Sequence, residues 1–201
     1  MIKPHIAIVS TGGTIVSSGA SDTQMTGYSI QGLKVDDLIV AVPSLDKIAK
    51  ITVHPVCNIP SSCINEAIWG QLCEVVQHLA NNTNVDGIVI THGTDTMEET
   101  AFFLNLVLKT NKPVVITGAM RPATALSADG PLNLYNAVQV AGCEKACGKG
   151  VLIILNSLIT GARDTTKTNT TSVQTFQSRD FGAYGYVIGS DIEFFSQSTK
   201  P

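Results

Sequence analysis

Charge is what this sequence has least of. Asp, Glu, Lys and Arg make up 14% of its 201 residues, against roughly 25% in an ordinary soluble domain. The mean hydropathy is correspondingly high, at +0.22, so much of the surface is expected to be covered by something. No apolar run reaches the roughly 18 residues that a membrane span needs. The expected cover is therefore protein, through oligomerisation or a further domain, and not a membrane. Basic runs are missing as well. The 13 Lys and Arg are scattered and the net charge is −3, which argues against nucleic acid, whose binding needs clustered cations. Met1-Ile2-Lys3-Pro4 leads straight into a strand pattern with no signal-peptide core. The expectation is a cytoplasmic protein as written, or a periplasmic one if this is a mature form. The five cysteines (Cys57, Cys63, Cys73, Cys143 and Cys147) are odd in number and lack paired metal-ligand spacing. They are read as free thiols, with Cys143 and Cys147 sharing one helix face. Nothing is spaced for a metal or a nucleotide, so no cofactor is expected.

What the chain does have is buried-strand pattern. Ile6–Val9, Ile51–Val56, Gly87–Ile90, Val114–Thr117 and Val151–Leu155 are near-continuous apolar runs, the signature of parallel strands covered on both faces. Helical periodicity lies between them. Ile68, Leu72, Val75, Val76 and Leu79 define a helix bracketed by Asn65 and Asn81. A second helix begins near Thr96, with Glu98 and Glu99 in its first turn as carboxylates favoured by the helix dipole. It is apolar nearly all round, which predicts deep burial. A third begins at Pro131. Strand alternating with helix predicts an α/β fold, a doubly wound, mostly parallel sheet flanked by helices. Residues 11–34 break the pattern and read as a long active-site loop or hairpin. From Ser157 the chain turns polar and Thr-rich.

Two turns stand behind the first and third strand runs: Thr11-Gly12-Gly13-Thr14-Ile15 and Thr91-His92-Gly93-Thr94-Asp95-Thr96. Open parallel sheets bind ligands at the carboxyl ends of their strands. Glycines there allow close backbone approach, threonines offer hydroxyl nucleophiles, and Asp95 adds a carboxylate. The first turn lacks the Lys and spacing of a phosphate loop. Taken alone, Thr14 could equally line a tight turn, Thr94-Asp95 could cap a helix, and Lys167 could be a solvated loop lysine. His92, between strand and turn, reads as a structural hydrogen-bond maker, and His54 and His78 as structural or surface residues. Arg121 reads as a brace between its loop and the helix at Pro131.

These segments resemble the L-asparaginase/glutaminase family of threonine amidohydrolases, in particular its bacterial type II branch. The likeness rests on Ser10–Ile15, on Thr91–Ala101, on Gly118-Ala119-Met120-Arg121-Pro122 leading to Ser127-Ala128-Asp129-Gly130-Pro131, and on Arg163–Thr171. It implies that Thr14 is the primary nucleophile and that Tyr28, on the loop, activates it or closes over it. It further implies a second group of Thr94, Asp95 and Lys167. Ser61, with Ser62, Thr94 and Asp95, would hold the substrate, L-asparagine and more slowly L-glutamine. Backbone N–H groups of the glycine turns are natural oxyanion donors. The implied assembly is a homotetramer, a dimer of dimers.

The chain departs from that pattern in three places. Pro60-Ser61-Ser62-Cys63 keeps the serine but puts Ser62 where the family carries a longer polar side chain, and Pro60 stiffens the turn. A cysteine pair found in some periplasmic members is missing. The family continues into a smaller C-terminal domain that completes a neighbour's active site. On this reading residues 1–190 are the nucleophile-bearing N-terminal domain, 191–201 begin a linker, and the C-terminal domain is absent. The expected function is an amidohydrolase releasing ammonia through an acyl-threonine intermediate. The alternative is a catalytically incomplete domain that binds amino acids weakly or serves as an assembly partner.

Overall fold

Strands β1 (His5–Ser10), β2 (Lys50–Pro55), β3 (Gly87–Thr91), β4 (Val114–Thr117) and β5 (Val151–Leu155) pair in parallel, in the order β5-β4-β3-β1-β2. This is a computed structural model, and it describes residues 3–27 and 34–196. Tyr28 lies outside the described residues. Every residue of β3, β4 and β5 is buried, because helices cover both faces of the sheet. Helices α1 (Val35–Val40), α2 (Leu45–Ile48) and α5 (Gly130–Ala141) lie on one face; α3 (Glu66–Asn81) and α4 (Met97–Val107) lie on the other. Alternate strand residues serve the two layers. Ile6, Ile8, Val89 and Ile154 pack with Leu38, Leu45 and Leu134, whereas Ala7, Val9, Ile88 and Ile90 pack with Leu72, Val76 and Leu104. The doubly wound reading is borne out.

Local signals account for the element ends. The Asn65 side chain accepts a hydrogen bond from the Ile68 N–H at 3.2 Å, capping α3 where an N-cap asparagine is favoured. A proline stands in the first turn of α5. β5 turns into β6 (Leu158–Gly161) through Asn156 and Ser157, at φ 50° and 64°. That is the doubly left-handed two-residue turn that matches the twist of paired antiparallel strands.

The winding sets the site. From β1 the chain moves to β2 on one side, then crosses over to β3 on the other, so the sheet order reverses between β1 and β3. Open α/β sheets bind their ligands at such a reversal. The β4–α5–β5 crossover steps in the same direction as β3–α4–β4 but runs over the opposite face. The two therefore have opposite hands, and the α5 crossover departs from the single hand shared by the others. The consequence is that the start of α5 packs on the face of the first glycine turn, where a Cβ on Gly130 would lie 2.9 Å from the Ile15 side chain.

Three expectations need correction, and the loop over residues 11–34 gains detail. Asp191–Phe194, expected to begin a linker, is β10, paired antiparallel with β9 (Gly185–Ile188) at the sheet edge. Its Asp-Ile-Glu-Phe sequence alternates polar and apolar because the strand is covered on one side only. Within residues 11–34, Thr14–Val16 form a 3-10 turn. The following stretch is tied down: the Ala123 N–H donates to the Ser17 carbonyl at 2.9 Å and the Leu126 N–H to that of Asp22 at 2.8 Å. Cys143 and Cys147 flank a 3-10 turn, Glu144–Ala146, and share no α-helical face. Finally, α4 buries only Met97, Thr100, Ala101 and Leu104, while Phe102, Leu106 and Val107 are exposed. Sheet and α3 cover one side of it, and no described residue forms a layer on the other.

That asymmetry is testable. Leu104 is fully buried and Leu106 is 56% exposed. Leu104→Ala is expected to cost about 2–5 kcal/mol of stability, and Leu106→Ala less than about 0.5 kcal/mol, read from denaturant midpoints of the isolated chain.

Candidate active site

The site is built where two turns are forced together. The Thr11 N–H and hydroxyl both donate to the Thr91 carbonyl at 3.0 Å, carrying the β1–β3 contact past the end of the strands. The chain then turns through Gly12 and Gly13, at φ 99° and 91°. A Cβ on Gly13 would lie 2.4 Å from the Gly93 N and Cα, so a side chain here would drive the turns apart. Gly93 is wedged in turn against Ser61, whose Oγ would lie 2.7 Å from a Cβ at that position. This packing sets Thr14, buried at the start of its 3-10 turn, beside the Thr94-Asp95 turn that precedes α4.

Thr14, Ser61, Thr94, Asp95 and Lys167 all line one cavity of about 710 Å³. Ser61 begins a 3-10 turn and is 4% exposed. Its Oγ accepts the Asp95 N–H at 3.1 Å, and its carbonyl accepts the Thr96 hydroxyl at 2.8 Å. Lys167 comes from strand β7 (Thr165–Lys167), which among the described residues pairs only with β8 (Phe176–Ser178), in a small separate sheet. Its ammonium donates to the Thr94 Oγ1 at 2.9 Å and to the Asp95 Oδ1 at 2.7 Å. The lysine side chain is 16% exposed and that of Asp95 is 69% exposed. An amine thus bridges a buried hydroxyl and a carboxylate at the cavity mouth. Ser62 stands differently: it is exposed and is not part of the cavity wall. The 3-10 turn that buries Ser61 turns its neighbour outward.

The structure adds residues that sequence reasoning left out of the site. Asn58 and Pro60 line the cavity beside Ser61, Met25–Gly27 enter from the long loop, and Thr170 and Thr171 come from the β7–β8 connection. Met120 and Arg121 line it from the loop before α5. That loop is held by Asp129, whose carboxylate accepts the Met120 N–H at 3.0 Å, the Arg121 N–H at 2.9 Å and the Asn133 amide at 3.0 Å. The Arg121 guanidinium donates to the Ser127 carbonyl at 2.9 Å, a brace within the loop and not onto the helix itself. Of these, Met25–Gly27 fall in the stretch read as an active-site loop, and Pro60, Met120, Arg121, Thr170 and Thr171 fall in segments singled out beforehand; Asn58 is brought in by loop packing alone. Among the described residues, no cluster of three or more His, Cys, Asp or Glu could hold a metal ion.

His92 lies beneath the site and is fully buried. Its Nδ1 is 2.6 Å from the Gly93 carbonyl, which can only accept, so Nδ1 carries the proton. Nε2 then accepts from the Thr100 hydroxyl at 2.9 Å, and the Thr100 oxygen accepts the Trp69 indole N–H at 2.9 Å. Trp69 is itself stacked on Phe103 at 5.2 Å. Desolvation pulls the imidazole pKa down to about 4, partly countered by the bond to Gly93. His92 is a neutral strut that fixes the Gly93 peptide.

This chain belongs to the asparaginase family: the family profile described as "Asparaginase, N-terminal" matches residues 5–200. It is 50% identical over 197 residues to L-asparaginase 2 of Bacillus subtilis, covering 98% of this chain and 52% of that protein. It is 46% identical over 198 residues to the glutaminase-asparaginase of Acinetobacter glutaminasificans, with 98% and 60% covered. A crystal structure of a probable cytoplasmic L-asparaginase from Campylobacter jejuni superposes with a TM-score of 0.95 at 46% identity, over 98% of this chain and 60% of that one. The chain thus spans little more than half the length of the relatives it matches.

The buried imidazole makes stability depend on pH. The unfolded histidine takes up its proton near 6.5 and the folded one only near 4. Stability is therefore full above about pH 6.5 and declines as pH falls toward 4. By linkage the loss approaches about 3 kcal/mol. Denaturant unfolding at pH 7 and pH 4.5 is expected to show this loss in the native chain and a much smaller one in His92→Gln.

Proposed function

We propose that this chain carries the nucleophiles of an amidohydrolase that releases ammonia from L-asparagine, and more slowly from L-glutamine. The observation that carries the reading is the Lys167 ammonium bridging the Thr94 hydroxyl and the Asp95 carboxylate in the wall that also holds Thr14. Family membership and relatives named L-asparaginase and glutaminase-asparaginase support it.

In the proposed reaction the Thr14 hydroxyl oxygen adds to the side-chain amide carbon, and its proton passes to the departing nitrogen. Ammonia leaves and an acyl-threonine ester forms. Water then adds to the ester, its proton returns to the Thr14 oxygen, and the product carboxylate is released. A threonine hydroxyl is a poor nucleophile until a neighbour takes its proton. Tyr28 is assigned that activating or closing role at Thr14. The linked Thr94, Asp95 and Lys167 are assigned to proton handling on the facing wall. N–H groups of the glycine turns supply oxyanion donors. Ser61, whose oxygen already accepts the Asp95 N–H, keeps its own O–H to offer a substrate carboxylate, while Asp95 takes the α-amine. We assign the completing acidic or amide groups to a C-terminal domain that the relatives' greater length contains, contributed across a homo-oligomer in which residues 1–190 form the N-terminal domain.

Ammonia release from L-asparagine tests the chemistry. Thr14→Ala is expected to lower kcat at least about 1000-fold, the loss typical of removing a nucleophile; release unaffected by it would overturn the reading. Adding the C-terminal half of a longer relative in trans is expected to raise turnover, and unchanged turnover would remove the shared-site part.

A further inference from the structure

Lys167 reaches the site from a strand that is not part of the main sheet, so something must hold that strand in place. Among the described residues β7 pairs only with β8. Among the described residues, the hydrogen bonds tying residues 166 and 167 to the body of the protein go to Thr94, Asp95 and Glu98. The first two engage the lysine ammonium. Glu98 engages the backbone: one carboxylate oxygen accepts the Lys167 N–H in a short hydrogen bond, and the other accepts the Thr166 hydroxyl at 2.7 Å. Glu98 is half-buried in the first turn of α4, one turn beyond Thr94 and Asp95. Glu99, beside it at the same helix end, is exposed.

We propose that Glu98 is the positioning residue for Lys167, docking the β7 main chain against the helix that carries Thr94 and Asp95. This deepens the amidohydrolase reading and rests on it. Thr94, Asp95 and Glu98 stand on one rigid turn-and-helix unit, and all three close onto residues 166 and 167. A lysine side chain has four rotatable methylenes and loses considerable freedom when held. Fixing its backbone from the same unit that receives its ammonium reduces the freedom lost in forming the bridge. The role is one of reach, not of charge. A favourable carboxylate at a helix N-terminus would do as well at Glu99, which makes no such docking contact in the chain's described hydrogen bonds.

Reach and charge separate cleanly in two variants. Glu98→Gln keeps the length, and its amide can accept the Lys167 N–H and donate to the Thr166 oxygen. Glu98→Asp keeps the charge at the helix end but is one methylene too short. The direct measurement is the Lys167 side-chain resonance in the full chain labelled with 13C and 15N lysine, assigned with Lys167→Met. In the native chain and in Glu98→Gln it is expected to stand apart from the exposed lysines; in Glu98→Asp it is expected to merge with them. Hydrolysis of L-asparagine is expected to follow: about 100-fold lower kcat in Glu98→Asp, the cost of a small misplacement, with KM nearly unchanged and most of kcat kept in Glu98→Gln. In a Lys167→Met background, Glu98→Asp should cost nothing further. A native-like Lys167 resonance in a folded Glu98→Asp chain would overturn the proposal, as would loss in Glu98→Gln equal to that in Glu98→Asp. The resonance decides the positioning role. The dependence of hydrolysis on Thr14 decides the amidohydrolase reading, so the two fail separately.

Discussion

The whole site depends on a steric contact between two glycine turns at the point where the sheet order reverses. Gly13 meets Gly93, and Gly93 meets Ser61, at distances no Cβ could share. Without that approach, Thr14 and Thr94 would stand on separate loops at the ends of separate strands. The contact is possible because β1 and β3 are neighbours in parallel register, and because Thr11 extends their pairing by one residue. Gly13 also needs a left-handed backbone, so its lack of a side chain serves conformation and packing at once.

Around that contact, polar groups are arranged so that little is left to chance. Buried polar groups are costly unless paired. The His92, Thr100 and Trp69 chain pairs its buried donors and acceptors while keeping the imidazole neutral. Asp129 does the corresponding work on the α5 side, gathering backbone N–H groups of the loop that supplies Met120 and Arg121. A rigid floor of this kind lets functional groups face the cavity without each having to be ordered on binding.

Lys167 is the exception, since its strand lies outside the main sheet. The amine that links Thr94 to Asp95 is delivered by a two-stranded arm whose placement relies on side-chain docking. The arm is also anchored by Phe176, which joins the core, and by the buried Thr165, whose hydroxyl donates to the Gly161 carbonyl. The edge hairpin β9–β10 and the outer face of α4 present exposed apolar residues. These surfaces are where the chain's shortage of charge becomes visible.

The sequence by itself determined the layered architecture, because strands covered on both faces must read as apolar runs and amphipathic helices must repeat at 3.6 residues. It also marked the two turns that line the cavity: Thr-Gly-Gly-Thr and Thr-His-Gly-Thr-Asp combine hydroxyls with backbone freedom at strand ends. Only the tertiary structure decided which residues share the cavity. Thr14, Ser61, Thr94 and Lys167 are separated by dozens of residues and meet through strand order and loop packing, neither of which leaves a local pattern. The same holds for what was misread. Ser62 turns away because a 3-10 turn buries its neighbour, and α4 leaves one apolar face open because no described layer covers it. Glu98 is the first-turn carboxylate expected, and its bonds to residues 166 and 167 are what the sequence did not show. Local sequence states what a residue can do; the fold alone supplies the partner it does it with.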